Sequence, residues 1–133
     1  MRILGIDLGK KRIGIALGDT ENKLVVGLPT LINDHAIIAE LEAIISREQI
    51  KKLIIGLPRT MSGQVGKQAS YTRKWGDMAM RNLQIDIEYV DERLSSKMAR
   101  DSLAALGKAL KKEDIDQAAA VFILQGYFDS LKN

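Results

Sequence analysis

The sequence predicts an α/β domain with a mixed five-stranded sheet flanked by helices, its elements in the order βββαβαβαα. Three observations predict it. Apolar runs over residues 2–7, 12–18 and 24–28 follow one another across short polar turns, the pattern of three sequential antiparallel strands. Beyond them, helical stripes alternate with short apolar strands, which calls for crossovers and parallel pairing. Residues 1–133, at 46% hydrophobic and 28% charged, suit a single domain with one good core.

In the first strand Asp7 closes an apolar run, and Gly9 with Lys10, Lys11 and Arg12 form the turn into the second. The third run ends at Pro29, which suits an edge or a strand end. Asn33 and Asp34 are helix-cap types ahead of Ile37, Ile38, Leu41, Ile44 and Ile45, an amphipathic stripe reaching about residue 47. Residues 53–57 form a strand stopped by Pro58, and a loop containing Met61, Ser62 and Gly63 leads to a helix over about 64–81. In the fifth strand, 85–90, Ile85, Ile87 and Tyr89 alternate with Asp86 and Glu88, so one face is apolar and the other partly wet. Ser95 or Ser96 caps a helix with Ala99, Leu103 and Leu106 inward and Gly107 as its stop. The basic stretch 108–112 is expected to be mobile. The last helix starts near Asp114, with Ile115, Ala119, Phe122, Ile123, Gly126 and Tyr127 on one side.

Composition excludes several classes. No apolar run approaches the roughly 18–20 residues of a membrane span, and the N-terminus enters a strand with no signal-peptide pattern. There is no cysteine, hence no disulfide framework or thiolate metal site. The chain is expected to be cytoplasmic. A net charge of +3 permits a nucleic-acid partner, and the distribution of the cations matters more than their sum.

Three acidic residues stand at element ends: Asp7 after the first strand, Glu92 after the fifth, and Asp116 in the first turn of the last helix. Each has an ordinary explanation: a turn aspartate, a strand-end ion pair to Arg93 or Lys97, a helix-start aspartate. Asp116 precedes Ala119, Ala120 and Ile123 at helical spacing, which turns it toward the packed side. If the three converge, an oxygen-only donor set suits Mg²⁺ or Mn²⁺, and two such ions about 3.5–4 Å apart suit phosphodiester hydrolysis. Phosphate approaches such a cluster only if cations rim it. The candidates are Lys10, Lys11 and Arg12 beside Asp7, Arg59 and Lys67 around the glycine loop, Arg93, Lys97 and Arg100 beside Glu92, and Lys108, Lys111 and Lys112 in the basic stretch. Singly, each reads as a solvated surface residue; their recurrence beside the acids is the informative part.

The loop at 56–67 is not a Walker loop, since Met61 stands where its first glycine belongs and Gln68 where Ser or Thr belongs. His35, the single histidine, reads as surface, and Tyr71 and Trp75 as helix packing or partly exposed ring surface.

Four segments together resemble the motifs of the YqgF/RuvX family: residues 5–14 with Asp7, residues 55–58 with Met61 and Gly63, residues 91–96 with Glu92, and Asp116 with Ala119, Ala120, Ile123 and Leu124. The resemblance covers essentially the whole chain in order. It implies an RNase H-like fold, with Asp7, Glu92 and Asp116 as the acidic, divalent-metal-binding active site; Asp91 is the lesser candidate. It also implies a nuclease that processes the 5′ end of pre-16S ribosomal RNA, or a Holliday junction resolvase with the same acids. The family commonly has Asp or Asn where this chain has Ser62, which bears on the loop's contacts. The expected partner is structured RNA or branched DNA, and the expected state a monomer or weak homodimer. Two other readings stay open. One is a non-catalytic RNA-binding assembly factor. The other is an ATPase, because the Asp7 turn also resembles the first phosphate loop of the actin, Hsp70 and sugar-kinase superfamily.

Overall fold

The computed structural model describes residues 1–57, 66–91, 95–107 and 111–131, and for 95–97 and 100 the backbone alone. Strands β1 (Arg2–Leu8), β2 (Arg12–Asp19) and β3 (Val25–Ile32) pair antiparallel in sequence. Helix α1 (Ile37–Glu48) crosses over to β4 (Ile50–Leu57), which lies parallel to β1. Helix α2 (Lys67–Leu83) leads to β5 (Asp86–Asp91), parallel to β4. Helices α3 (Ser95–Ala105) and α4 (Lys112–Ser130) complete the chain. The sheet order is β3-β2-β1-β4-β5, and the element order is the one expected.

Strand alternation divides the core between two faces. Leu4, Ile6, Leu8, Ile13, Ile15, Leu53 and Ile55 face one side, where Ile37, Leu41 and Ile44 of α1 and Trp75 and Ala79 of α2 cover them. Ile3, Ala16 and Ile54 face the other, under Ala120, Ile123, Leu124, Tyr127 and Phe128 of α4. Helix α3 packs against α4. The two central strands are apolar on both faces because both are covered.

Helix α4 lies very close to the sheet, because the strand positions beneath it are glycines. A Cβ on Gly5 would fall 2.6 Å from Leu124 Cγ, and one on Gly18 would fall 3.0 Å from Leu124 Cδ1 and 3.2 Å from Phe128 Cζ. Leu124 is thereby completely buried.

Several local expectations shift. Of the two places expected for Pro29 the structure shows the edge and not the strand end: it lies inside the edge strand β3, whose register slips between the Ile15–Leu28 and Ile13–Leu31 pairs, which accommodates a residue without an N–H. Helix α1 begins at Ile37 after Ala36, with no side-chain cap; Asp34 accepts from the Ala36 N–H instead, and Asn33 is engaged elsewhere. Leu106, expected inward, is 67% exposed, because α3 ends at Ala105 and Gly107 turns the chain away at φ 71°. Helix α4 starts at Lys112, earlier than expected, so Asp116 sits in its second turn. Of its expected packed residues Ala119, Ile123 and Tyr127 are buried, but contact with both sheet and α3 widens the face to Ala120, Leu124 and Phe128, and Gly126 is exposed. His35 is exposed, as expected.

Candidate active site

The β1–β2 register places Asp7 directly opposite Gly14. Asp7 follows Ile3 and Gly5 at alternate positions, so it belongs to the face that α4 covers. Helix α4 crosses at this point. A Cβ on Gly14 would collide with the Asp116 carbonyl and lie 3.1 Å from Asp116 Cβ. Strand pairing and helix packing thus set two carboxylate residues, distant in sequence, on either side of one glycine.

Asp116 is held there by several bonds. Its Oδ2 accepts from Arg12 Nε at 2.9 Å, with the two side chains 23% and 25% exposed. Thr30 Oγ1 donates to the Glu113 carbonyl at 2.9 Å, and Gln117 Nε2 donates to the Leu28 carbonyl at 2.8 Å. The start of α4 is therefore fastened to β3 on both sides of Asp116.

The cationic turn is fixed as firmly. The Gly9 N–H donates to the Arg12 carbonyl at 2.9 Å, closing the turn. The Asn33 N–H donates to the Lys11 carbonyl at 2.9 Å, and its Nδ2 donates to the Gly9 carbonyl at 2.8 Å and to Tyr71 Oη at 3.1 Å. Asn33 therefore joins the turn to the end of β3 and to the first turns of α2. The sequence marked Asn33 only as a cap type, and nothing local distinguishes a capping asparagine from a long-range one.

Around the acids, Lys10 and Lys11 are exposed on the turn. Arg12, expected among the phosphate-facing cations, is instead engaged with Asp116, because its position at the start of β2 lies under the helix. Lys67 is the exposed first residue of α2, while Lys111 and Lys112 stand exposed at the start of α4. Asp91 follows Ile87 and Tyr89 at every second position, and these pack on the α1–α2 side, so its register position belongs to the face opposite Asp7. Glu92, Arg59, Arg93, Lys108, Ser62 and Gly63 lie outside the described residues, as do the side chains of Lys97 and Arg100.

The sequence model of the RuvX family, described as Holliday junction resolvase, matches residues 1–130. The chain belongs to the RuvX family. Relatives of this RuvX chain carry the description "Putative pre-16S rRNA nuclease". One from Sulfurihydrogenibium sp. is 41% identical over 132 residues, covering 98% of this chain and 91% of the relative. One from Clostridioides difficile is 39% identical, covering 96% and 94%. Among solved structures, Thermus thermophilus RuvC in complex with a Holliday junction substrate superposes with a TM-score of 0.57 at 14% identity, covering 99% of this chain and 97% of that one. The fowlpox virus resolvase with Holliday junction DNA superposes with a TM-score of 0.56 at 17% identity, covering 100% of both chains. These likenesses show the RNase H-like fold for this chain.

The donor chemistry at Gly14, two carboxylate residues set on either side of it, fits a hard divalent cation. Among the described residues no group of three acidic or histidine side chains is gathered to hold a metal. No helix among them is long and apolar enough to cross a membrane.

Proposed function

We infer that this RuvX chain is a divalent-metal-dependent nuclease that hydrolyses phosphodiester bonds of structured RNA, and that its substrate is the 5′ end of pre-16S ribosomal RNA. The observation that carries the reading is the placement of Asp7 and Asp116 across Gly14, beside a turn bearing Lys10 and Lys11. The relatives' descriptions, at 41% and 39% identity over nearly whole chains, favour ribosomal RNA as the substrate.

In this reading Asp7, Asp116 and Glu92 hold one or two Mg²⁺ or Mn²⁺ ions, which when bound activate water and stabilise the leaving oxygen. Asp7 presents its carboxylate from a strand that pairing on both sides keeps rigid. Asp116 presents its own from a helix fastened to β3. Arg12 pairs with Asp116 and, until a metal competes for that carboxylate, offsets part of the repulsion between the acids. Lys10 and Lys11 attract the phosphate backbone and set its approach. Lys67, Lys111 and Lys112, with Arg59, Arg93, Lys97, Arg100 and Lys108, extend that attraction along the substrate.

The family description and the fold favour a second substrate for the same acids, a four-way DNA junction. Cleavage of a labelled precursor-rRNA fragment and of a junction, side by side with Mg²⁺, Mn²⁺ or EDTA, separates the two. Metal-dependent cutting of the RNA alone supports the reading. Preference for the junction replaces it with the resolvase version, and intact binding without cutting of either replaces it with the assembly-factor version.

A further inference from the structure

An open groove of about 610 Å³ runs along the first turns of α2, lined by Gly66, Lys67, Ser70, Tyr71 and Lys74. It lies on the α1–α2 side of the sheet, whereas Asp7 lies on the face that α4 covers and Asp116 on α4 itself. A relay of two hydrogen bonds ties it to the turn beside Asp7: Tyr71 Oη accepts from Asn33 Nδ2, which also donates to the Gly9 carbonyl. Groove and turn are therefore held in one fixed relation.

We propose that this groove is a second backbone-binding surface, which receives the substrate strand after it passes the Lys10–Lys11 turn. The proposal rests on the nucleic-acid reading above and adds a path to it. Lys67 and Lys74 stand two helical turns apart on one side of α2, both exposed, with Ser70 exposed between them. Seven residues at about 1.5 Å each separate the ammonium-bearing positions by roughly 10 Å along the helix, so the two lysines meet different phosphates of one strand. Lys67, Ser70 and Lys74 offer phosphate two charges and a hydroxyl donor, and among the described residues no carboxylate lines the groove. Another open groove of this surface, at the opposite end of the sheet, is lined by Asp19, Glu21 and Glu48 as well as Arg2, Arg47 and Lys51, and lacks that bias.

The test measures how binding of a labelled RNA hairpin with a single-stranded flank depends on salt, with EDTA present so that no cleavage occurs. The Lys67→Ala/Lys74→Ala double variant is expected to flatten the log K against log[salt] slope by about 1.4, since each phosphate contact on a single strand contributes about 0.7. Ser70→Glu is expected to weaken binding at low salt, and Arg47→Ala/Lys51→Ala at the far groove to leave the slope unchanged. Shortening the flank is expected to erase the difference between the double variant and the wild type. A double variant with the wild-type slope overturns the groove while leaving the nuclease reading intact. A wild-type chain that binds neither this RNA nor a DNA junction overturns both.

Discussion

Arg12 and Asp116 are separated by 104 residues, and Arg12 Nε donates to Asp116 Oδ2 at 2.9 Å. The pair joins the turn that follows Asp7 to the helix that carries the second acid. Both side chains are about a quarter exposed, so solvent screens their attraction and the pair adds about 0–1 kcal/mol to stability. Its larger effect is on the carboxylate. Arg12→Ala is expected to change Tm little and to tighten Mn²⁺ binding roughly fivefold, a gain of about 1 kcal/mol, by removing a competing cation. Titration calorimetry checks this; weaker Mn²⁺ binding would mean that Arg12 positions Asp116 more than it competes for it.

Gly14 admits α4. Gly14→Ala places a methyl group against the Asp116 carbonyl. Neither backbone nor strand can yield easily, since Gly14 lies within a paired strand and the helix start is tied to β3. A loss of about 1–3 kcal/mol is expected, the usual range for overpacking. Urea unfolding measures it, and a variant as stable as the wild type would show that α4 can lift away.

Asn33→Ala removes two side-chain hydrogen bonds, to Gly9 and Tyr71, and is expected to cost about 1–3 kcal/mol. Tyr71→Phe removes one of them and is expected to cost less. If the bonds serve chiefly to hold the turn, Asn33→Ala also raises KM for nucleic acid more than it lowers kcat. Chemical denaturation paired with steady-state kinetics reads both effects.

Two groups away from the acidic site make the fold sensitive to alkali. Lys52 donates to Glu88 at 3.1 Å, and this bond, opposed by burial and assisted by Tyr127, raises its pKa above the usual 10.5. Burial raises the Tyr89 phenol above 10.0, aided by Asp77 and opposed by Arg73, whose guanidinium lies 5.1 Å from the ring centre. Both groups hold their protons more tightly when folded. Their contribution is therefore complete below the unfolded-state values and declines as pH rises through the folded ones. Urea midpoints are expected to be level up to about pH 9 and to fall above pH 10, with a shallower fall in Tyr89→Phe. An equal fall in that variant would assign the alkaline loss to other groups.

Much of this was legible in the sequence because it depends on local pattern. The apolar runs of β1 and β2, the stripe from Ile37 to Ile45 and the stop at Gly107 gave the element order. Asp116 was expected to face inward from its spacing to Ala119, Ala120 and Ile123, and it does abut Gly14. What was not legible depends on contacts between distant segments. Asn33 resembled a cap and proved to be a cross-link, Arg12 resembled a phosphate ligand and proved to be paired, and Leu106 resembled a core residue and proved exposed. In each case the side chain's chemistry was clear, while its partner was set by how α4 and α2 seat on the sheet.

The most direct test of the central claim, that Asp7 and Asp116 form one acidic site across Gly14, is cleavage of a labelled precursor-rRNA fragment by wild type, Asp7→Asn and Asp116→Asn in Mg²⁺. Each variant is expected to retain its fold by circular dichroism and to lose at least about a hundredfold in rate, about 2.7 kcal/mol of transition-state stabilisation. The double variant is expected to lose little more than either single one, because the two residues act as a unit. Folded single variants that cut at the wild-type rate would contradict the account.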